Sequence, residues 1–247
     1  MYVIFQIIAK LYNLTFTTFE NIVYKKFHTN NELEKNGYII LKNQLNNLID
    51  YSNSDILTVN KYFKKIIFTD SQIRDLLVKL FVKEKLFQKI TNLTGFNYSI
   101  DFLTAYETLY IPDEDKSKGW YANHIHNDKP FTKNTLKLII PLEKIENENG
   151  PMEIINKNES NNFDLNENRQ NLLKFIGLPS DIFIFKPNLC LHRAGVPSEN
   201  KNRKQIMLQL NPSKNWVFNK SIHKLQKIRE PKFPNLSYLL DQKEKLL

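Results

Sequence analysis

The sequence predicts an all-β core with a helical layer laid over it. Three observations carry that prediction. Between residues 98 and 211, short segments rich in Ile, Leu, Phe and Tyr are bounded by Pro, Gly, Asn and Asp, the texture of strands joined by turns. Ahead of them, Ile73, Leu76, Leu77 and Leu80 recur at helical spacing behind Asp70-Ser71. The chain has 247 residues, 41% hydrophobic and 25% charged, enough to bury a core of useful size.

Taken in order, the elements begin with the apolar run MYVIFQIIAKLYNLTF. Lys10 interrupts it, and Gln6 and Asn13 add to the desolvation cost, so it falls short of the ~20 apolar residues that span a bilayer. No basic segment precedes it and no small-residue cleavage site follows. A helix packed on the domain or on a partner is expected. In NGYIILKN, a turn at Asn36-Gly37 should lead into a strand. The helix after Asp70-Ser71 is expected to continue through Phe81, Leu86, Phe87 and Ile90 to a stop at Gly95. Residues 1–97 are thus read as mainly helical.

The strand segments follow: YSIDFLTAYETLY, TLKLIIPLE, GPMEIIN, DIFIFKP, LCLHRAG and RKQIMLQLN. They assign a sandwich or barrel core to residues 98–212. The polar, basic tail, 213–247, contains Pro231 and Pro234 and reads as a short helical extension. No internal repeat or low-complexity linker divides the chain, so one domain is expected.

Lys plus Arg number 35 against 26 Asp plus Glu, a net charge of +9. This favours an acidic small-molecule partner in principle. The basic residues are scattered, with no run of five, which argues against nucleic acid. One cysteine, Cys190, excludes an internal disulfide and points to a reducing, cytoplasmic setting.

The chemistry concentrates in YANHIHNDKPF, residues 121–131. On a strand, residues two apart share a side, so His126 and Asp128 are expected to project together. Imidazole and carboxylate suit Fe(II), Mn(II) or Zn(II). His192, in NLCLHRAGV, lies far enough downstream for the chain to cross a jelly roll and return beside them. Two histidines and one carboxylate leave adjacent coordination positions open for a bidentate co-substrate and dioxygen. A 2-oxoglutarate co-substrate also needs a cation for its distal carboxylate, and Arg203 offers the forked geometry. On that last strand Arg203, Gln205, Met207 and Gln209 share the pocket-lining side, while Ile206, Leu208 and Leu210 share the other.

Neighbouring residues admit two readings each. His124 either supports His126 or is exposed. Lys137 either faces inward toward an acidic group or snorkels to the surface. Cys190 either points toward the pocket or fills the core. Trp120 either walls the pocket or packs. One of Tyr106, Thr108 and Tyr110 is placed to hydrogen-bond 2-oxoglutarate; Thr108 is taken with Arg203 and Gln205 as the co-substrate set. His28 and His223 read as surface residues.

HND, then LKLIIPLEKIENENGPMEIINKNES, then LPSDIFIFKPNLCLHRAG, then Arg203, together with the upstream LEKNGYIILKN, resemble the phytanoyl-CoA dioxygenase family of Fe(II)/2-oxoglutarate oxygenases. The resemblance spans Glu32 to Asn211. It implies a double-stranded β-helix with N-terminal helices packed on one sheet. It also implies iron held by His126, Asp128 and His192, and a hydroxylase acting on a small molecule with release of succinate and carbon dioxide. Halogenating relatives replace the carboxylate ligand by a small residue; Asp128 keeps it. Two departures, Asn158-Glu159-Ser160 and Ser180-Asp181, touch no ligand and bear on lid and substrate contacts. The rival readings are a jelly-roll binding protein with a vestigial site and a cupin-type metalloenzyme without 2-oxoglutarate. Convergence of the four residues in space discriminates against both.

Overall fold

The computed structural model describes residues 2–46, 49–128, 132–160, 172–226 and 242–245. Helix α1 (Tyr2–Val23) opens the chain. A short helix α2 (Glu32–Asn36) follows, with the Asn31 side chain accepting from the Glu34 amide and Gly37 closing it at φ 82°. The expected Asn36-Gly37 turn is therefore a left-handed helix cap, which glycine adopts without strain. It leads into β1 (Tyr38–Leu41).

Helices outweigh strands in the first 97 residues, but the stretch also holds a hairpin that the sequence reading did not name. β2 (Asp55–Asn60) and β3 (Phe63–Ile67) form an antiparallel hairpin, and β3 pairs with the first core strand. Ile56, Thr58, Val59, Ile66 and Ile67 are β-branched and suit a pleated surface.

The long helix expected from Asp70 to Gly95 is also broken. α3 (Asp70–Leu77) is capped by Thr69 in a capping box with Gln72, one residue before the expected cap. A π-helical turn occupies Val78–Lys83, Lys85 takes φ 54°, and α4 (Leu86–Thr94) ends at Gly95, φ 77°. The five-residue step from Phe81 to Leu86 exceeds a helical repeat and would rotate Leu86 off the buried face of a continuous helix. The wider turn and the break restore the phase, so Phe81, Leu86 and Ile90 all bury in one core.

All six predicted strand segments contain strands. They are β4 (Asn97–Leu109), β5 (Leu136–Pro141), β6 (Met152–Ile154), β8 (Ile182–Phe185), β9 (His192–Ala194) and β10 (Asn202–Ser213). A short helix α5 (Lys157–Ser160) and β7 (Leu173–Lys174) lie between β6 and β8. The tail is not simply helical: β11 (Val217–Asn219), the single turn α6 (Ile222–Leu225) and β12 (Lys243–Lys245) extend the large sheet. Pro231 and Pro234 lie outside the described residues.

The architecture is a double-stranded β-helix. The large sheet runs β1-β8-β5-β10-β4, with β3 and β11 on the far edge of β4, β2 on β3 and β12 on β11. The small sheet runs β7-β6-β9. One core fills the outer face of the large sheet, where Leu138, Ile140, Ile206, Leu208 and Leu210 meet Ile73, Leu77, Leu80 and Phe81 from the helical layer. The second core lies between the sheets: Ile139, Phe183 and Phe185 face Met152, Ile154 and Phe175. Burial of each such side chain contributes about 1.5–3 kcal/mol, and strands buried on both faces explain why LKLIIP and IFIF read as continuous apolar runs. Among the described residues no helix is long and apolar enough to cross a membrane.

Candidate active site

His126 and Asp128 do not sit on a strand as expected. They lie on an irregular segment that touches the small sheet through one bridge, with His126 N donating to His192 O at 3.0 Å and His192 N to His126 O at 2.8 Å. Asp128 is pinned from its other side: its amide donates to Pro187 O at 2.9 Å, and Asn188 Nδ2 donates to its carbonyl at 3.3 Å. Backbone pairing with β9 and the loop before it thus achieves the convergence that strand alternation was expected to supply.

One ligand atom from each of His126, Asp128 and His192 lies within 4.8 Å of the others. Each histidine has Nδ1 bonded to the carbonyl two residues earlier, His126 to His124 O at 2.7 Å and His192 to Cys190 O at 2.9 Å. A carbonyl only accepts, so both Nδ1 atoms carry a proton and the Nε2 atoms are the ones turned toward Asp128 as ligand atoms. The Nε2 atoms approach Asp128 to 3.7 Å from His126 and 3.9 Å from His192. The donor set of two nitrogens and one oxygen fits a divalent transition metal. Burial holds the His192 pKa down to about 4, so its ring stays neutral and ready to bind a cation. For Asp128, burial pushes the pKa up, but opposing causes led by the charge and hydrogen bond of Lys137 outweigh it and hold it below its ordinary value.

Lys137 faces inward. Its Nζ donates to Asp128 Oδ2 at 2.8 Å with the side chain only 8% exposed. The acidic group it meets is the protein's own. The sequence left this open because a lysine between two leucines on a strand is compatible with either face.

Arg203 lies on the same inner surface, opposite Thr108 on β4. It is 1% exposed, and Nη1 donates to Gly195 O at 3.2 Å. Its Nε and Nη2, together with Thr108 Oγ1 and Gln205 Oε1, have no hydrogen-bond partner among the described residues. Gln205 Nε2 donates to the Tyr106 hydroxyl. A buried guanidinium with unmet donors is costly unless an anion completes it. Arg203, Gln205 and Thr108 therefore share one face with open hydrogen-bonding capacity, which a carboxylate group would complete.

Other candidates fall away from the centre. His124 is exposed and contributes its carbonyl, not its ring, to His126. Cys190 is buried in the inter-sheet core, its thiol near Asn36 O and its pKa pushed up to about 12 by burial. Trp120 packs edge-on against Tyr62 and donates to Asp115 O, outside the triad.

Two supports escaped the sequence reading. Ser160 Oγ, in the segment that departs from the family pattern, accepts from Leu191 N at 3.0 Å, next to His192. Gly150, φ 62°, and Gly195 face each other so closely that a Cβ on either would collide with the other's segment. The Asn149-Gly150-Pro151 turn thereby docks against the end of β9, beside the carbonyl that holds Arg203.

No protein-family model and no curated protein matches the chain. Solved structures do. The non-heme alpha ketoglutarate dependent epimerase SnoN from nogalamycin biosynthesis superposes with a TM-score of 0.53 at 13% identity, over 73% of this chain and 79% of that one. HygX from Streptomyces hygroscopicus, with nickel and 2-oxoglutarate bound, gives 0.49 at 8% identity over 74% and 86%. The carbocyclase SnoK gives 0.47 at 10% identity over 72% and 80%. The SnoN superposition identifies the fold of this chain as the jelly roll of that enzyme.

Proposed function

We propose that the protein is an Fe(II)- and 2-oxoglutarate-dependent oxygenase that hydroxylates a small molecule. The observation that carries the proposal is the two-histidine, one-carboxylate donor set beside the small sheet, supported by a buried arginine with two unmet donors on the inner face of the large sheet. His126, Asp128 and His192 would hold the metal. Arg203, helped by Thr108 and Gln205, would hold the distal carboxylate of 2-oxoglutarate. Three residues of extended chain, roughly 10 Å, separate His192 from Gly195, whose carbonyl orients Arg203. That interval suits a five-carbon diacid bridging the two. The shared fold of SnoN, described as alpha ketoglutarate dependent, supports the same reading.

When bound, iron and 2-oxoglutarate supply the oxidative decarboxylation to succinate and carbon dioxide that is coupled to oxidation of substrate. The chain's own work is to keep the His192 ring neutral, to orient both Nε2 atoms through the Nδ1 bonds to carbonyls, to hold Asp128 anionic, and to fix the diacid through Arg203. Phe185, edge-on to His192 at 4.9 Å, shields that ring from water.

The test is anaerobic addition of Fe(II) and then 2-oxoglutarate, expected to give a weak visible charge-transfer band, followed by assay of succinate. Absence of the band with both ligands at saturation would sink the proposal. Product mass then decides the outcome of the reaction: hydroxylation adds one oxygen atom, whereas epimerisation leaves the mass unchanged.

A further inference from the structure

Of the buried side-chain polar atoms without a hydrogen-bond partner among the described residues, those on the inner face of β4 and β10 form two groups. The first is the Arg203, Thr108 and Gln205 set. The second consists of Thr104 Oγ1 and both amide atoms of Gln209. Met207, opposite Thr104, lies between the groups on β10. Gln209 is 0% exposed and stands opposite Phe102 on β4 and Lys137 on β5. Lys137 reaches Asp128, so the second group is linked to the triad through a cross-strand neighbour, six residues along β10 from Arg203. Directly opposed Cβ atoms are about 5 Å apart and diagonal ones about 7–8 Å, so one small molecule spans Gln209 and Thr104.

We propose that Gln209 and Thr104 form the prime-substrate subsite, and that it takes a neutral hydroxyl or carboxamide group. This rests on the metal and 2-oxoglutarate reading, which leaves the second group unused. The chemistry narrows the ligand class. A buried amide offers one acceptor and donors at the same point, so its complement must both donate and accept. A carboxylate only accepts and would set its oxygen against Gln209 Oε1. An alkyl chain meets neither atom and leaves both desolvated. Lys137, opposite Gln209, is already neutralised by Asp128, so the acidic substrate favoured by net charge finds no uncompensated cation there. Phe102, also buried, supplies an apolar wall beside the amide.

The experiment has two arms. Thermal unfolding of the full chain is compared for the parent, Gln209→Leu and Thr104→Val. A ligand-directed orphan predicts that both variants melt at or above the parent temperature. A drop of several degrees in either would show that the group has a structural partner and would overturn the proposal. In the second arm, the Fe(II)-loaded protein with 2-oxoglutarate is screened for succinate release with neutral sugars and carboxamides, simple carboxylates, and alkyl alcohols. Stimulation by the neutral polar class is expected, with the half-saturating concentration raised roughly tenfold to a hundredfold in Gln209→Leu. Stimulation confined to carboxylates or alkyl compounds, or equal in parent and variant, would overturn it. If no compound acts, the unfolding comparison decides. A parent that binds no 2-oxoglutarate indicts the cofactor reading instead, which the unfolding arm does not depend on.

Discussion

Replacing Lys137 by methionine removes the cation from Asp128 while keeping a side chain of similar length. At 2.8 Å and an effective dielectric of about 20, the attraction between the two charges is ~6 kcal/mol. Part of that is returned because methionine needs no desolvation. Breaking a buried pair by deleting one partner destabilises by about 3–5 kcal/mol, and the metal-free variant should lose a stability of that order in denaturant titration. Metal reverses the sign. In the parent, a divalent ion meets a carboxylate already neutralised by lysine; in the variant it meets a bare one. Mn(II) affinity by titration calorimetry is therefore expected to rise by about tenfold or more, 1.4 kcal/mol per decade, and saturating Mn(II) to restore most of the lost stability. A fall in metal affinity would refute the reasoning, because it would mean that Lys137 orients Asp128 rather than neutralising it. Unchanged metal-free stability would refute the ion pair itself.

Arg203→Ala is expected to weaken 2-oxoglutarate binding by about 2–5 kcal/mol while Mn(II) binding in its absence is retained; equal co-substrate affinity in calorimetry would mean that another cation holds the diacid. In the parent, 2-oxoglutarate should tighten Mn(II) binding, and Arg203→Ala should lose most of that coupling, as read from paired titrations. The His192 pKa lies at about 4 in the fold against 6.5 as its ordinary value, so the unfolded chain binds the extra proton between those pH values. The sign is loss of stability as pH falls through that window, roughly 3 kcal/mol in the metal-free protein, and chemical denaturation at pH 7 and pH 4.5 checks it. Gly150→Ala forces a left-handed residue to carry a Cβ against the Val196 and Pro197 backbone. It should lower the melting temperature and weaken 2-oxoglutarate binding together, whereas a melting temperature equal to that of the parent would show that the turn does not need glycine.

What the sequence disclosed was periodicity and residue chemistry. The alternation of Arg203, Gln205, Met207 and Gln209 against Ile206, Leu208 and Leu210 separated the two faces of β10, and both cores follow it. His126, Asp128, His192 and Arg203 stood out by type and order; the structure brings the first three within 4.8 Å of one another and buries Arg203 on the inner face of the large sheet. The hairpin β2–β3 was not read because the apolar residues of β2, Ile56, Leu57 and Val59, are exposed and form no alternating apolar face, while β3 buries only Ile66 and Ile67 at its end. The break between α3 and α4 depends on the phase of Leu86 relative to Phe81, which a search for apolar recurrence passes over. The tail strands depend on pairing with β4, a contact more than 100 residues distant in sequence. The geometry of His126 and Asp128 arises from bonds to His192 and Pro187, partners that local alternation cannot name.

Under the proposed function, the charges on the inner face would couple metal and diacid into one binding event. Arg203 and Lys137 are cationic, Asp128 is anionic, and the neutral ring of His192 adds nothing, so the buried residues carry a net charge of about +1. A divalent metal alone would raise that to about +3 in a site with little water to screen it. A dianion alone would satisfy Arg203 while setting its keto-acid end against Asp128. Together the two ligands cancel, and the pocket returns to the charge it has when empty. Each ligand thus lowers the electrostatic cost of the other, and by linkage the effect is reciprocal. Lys137 enters this balance twice: it keeps Asp128 from being an unpaired buried anion before metal arrives, and it moderates metal affinity until the diacid is bound.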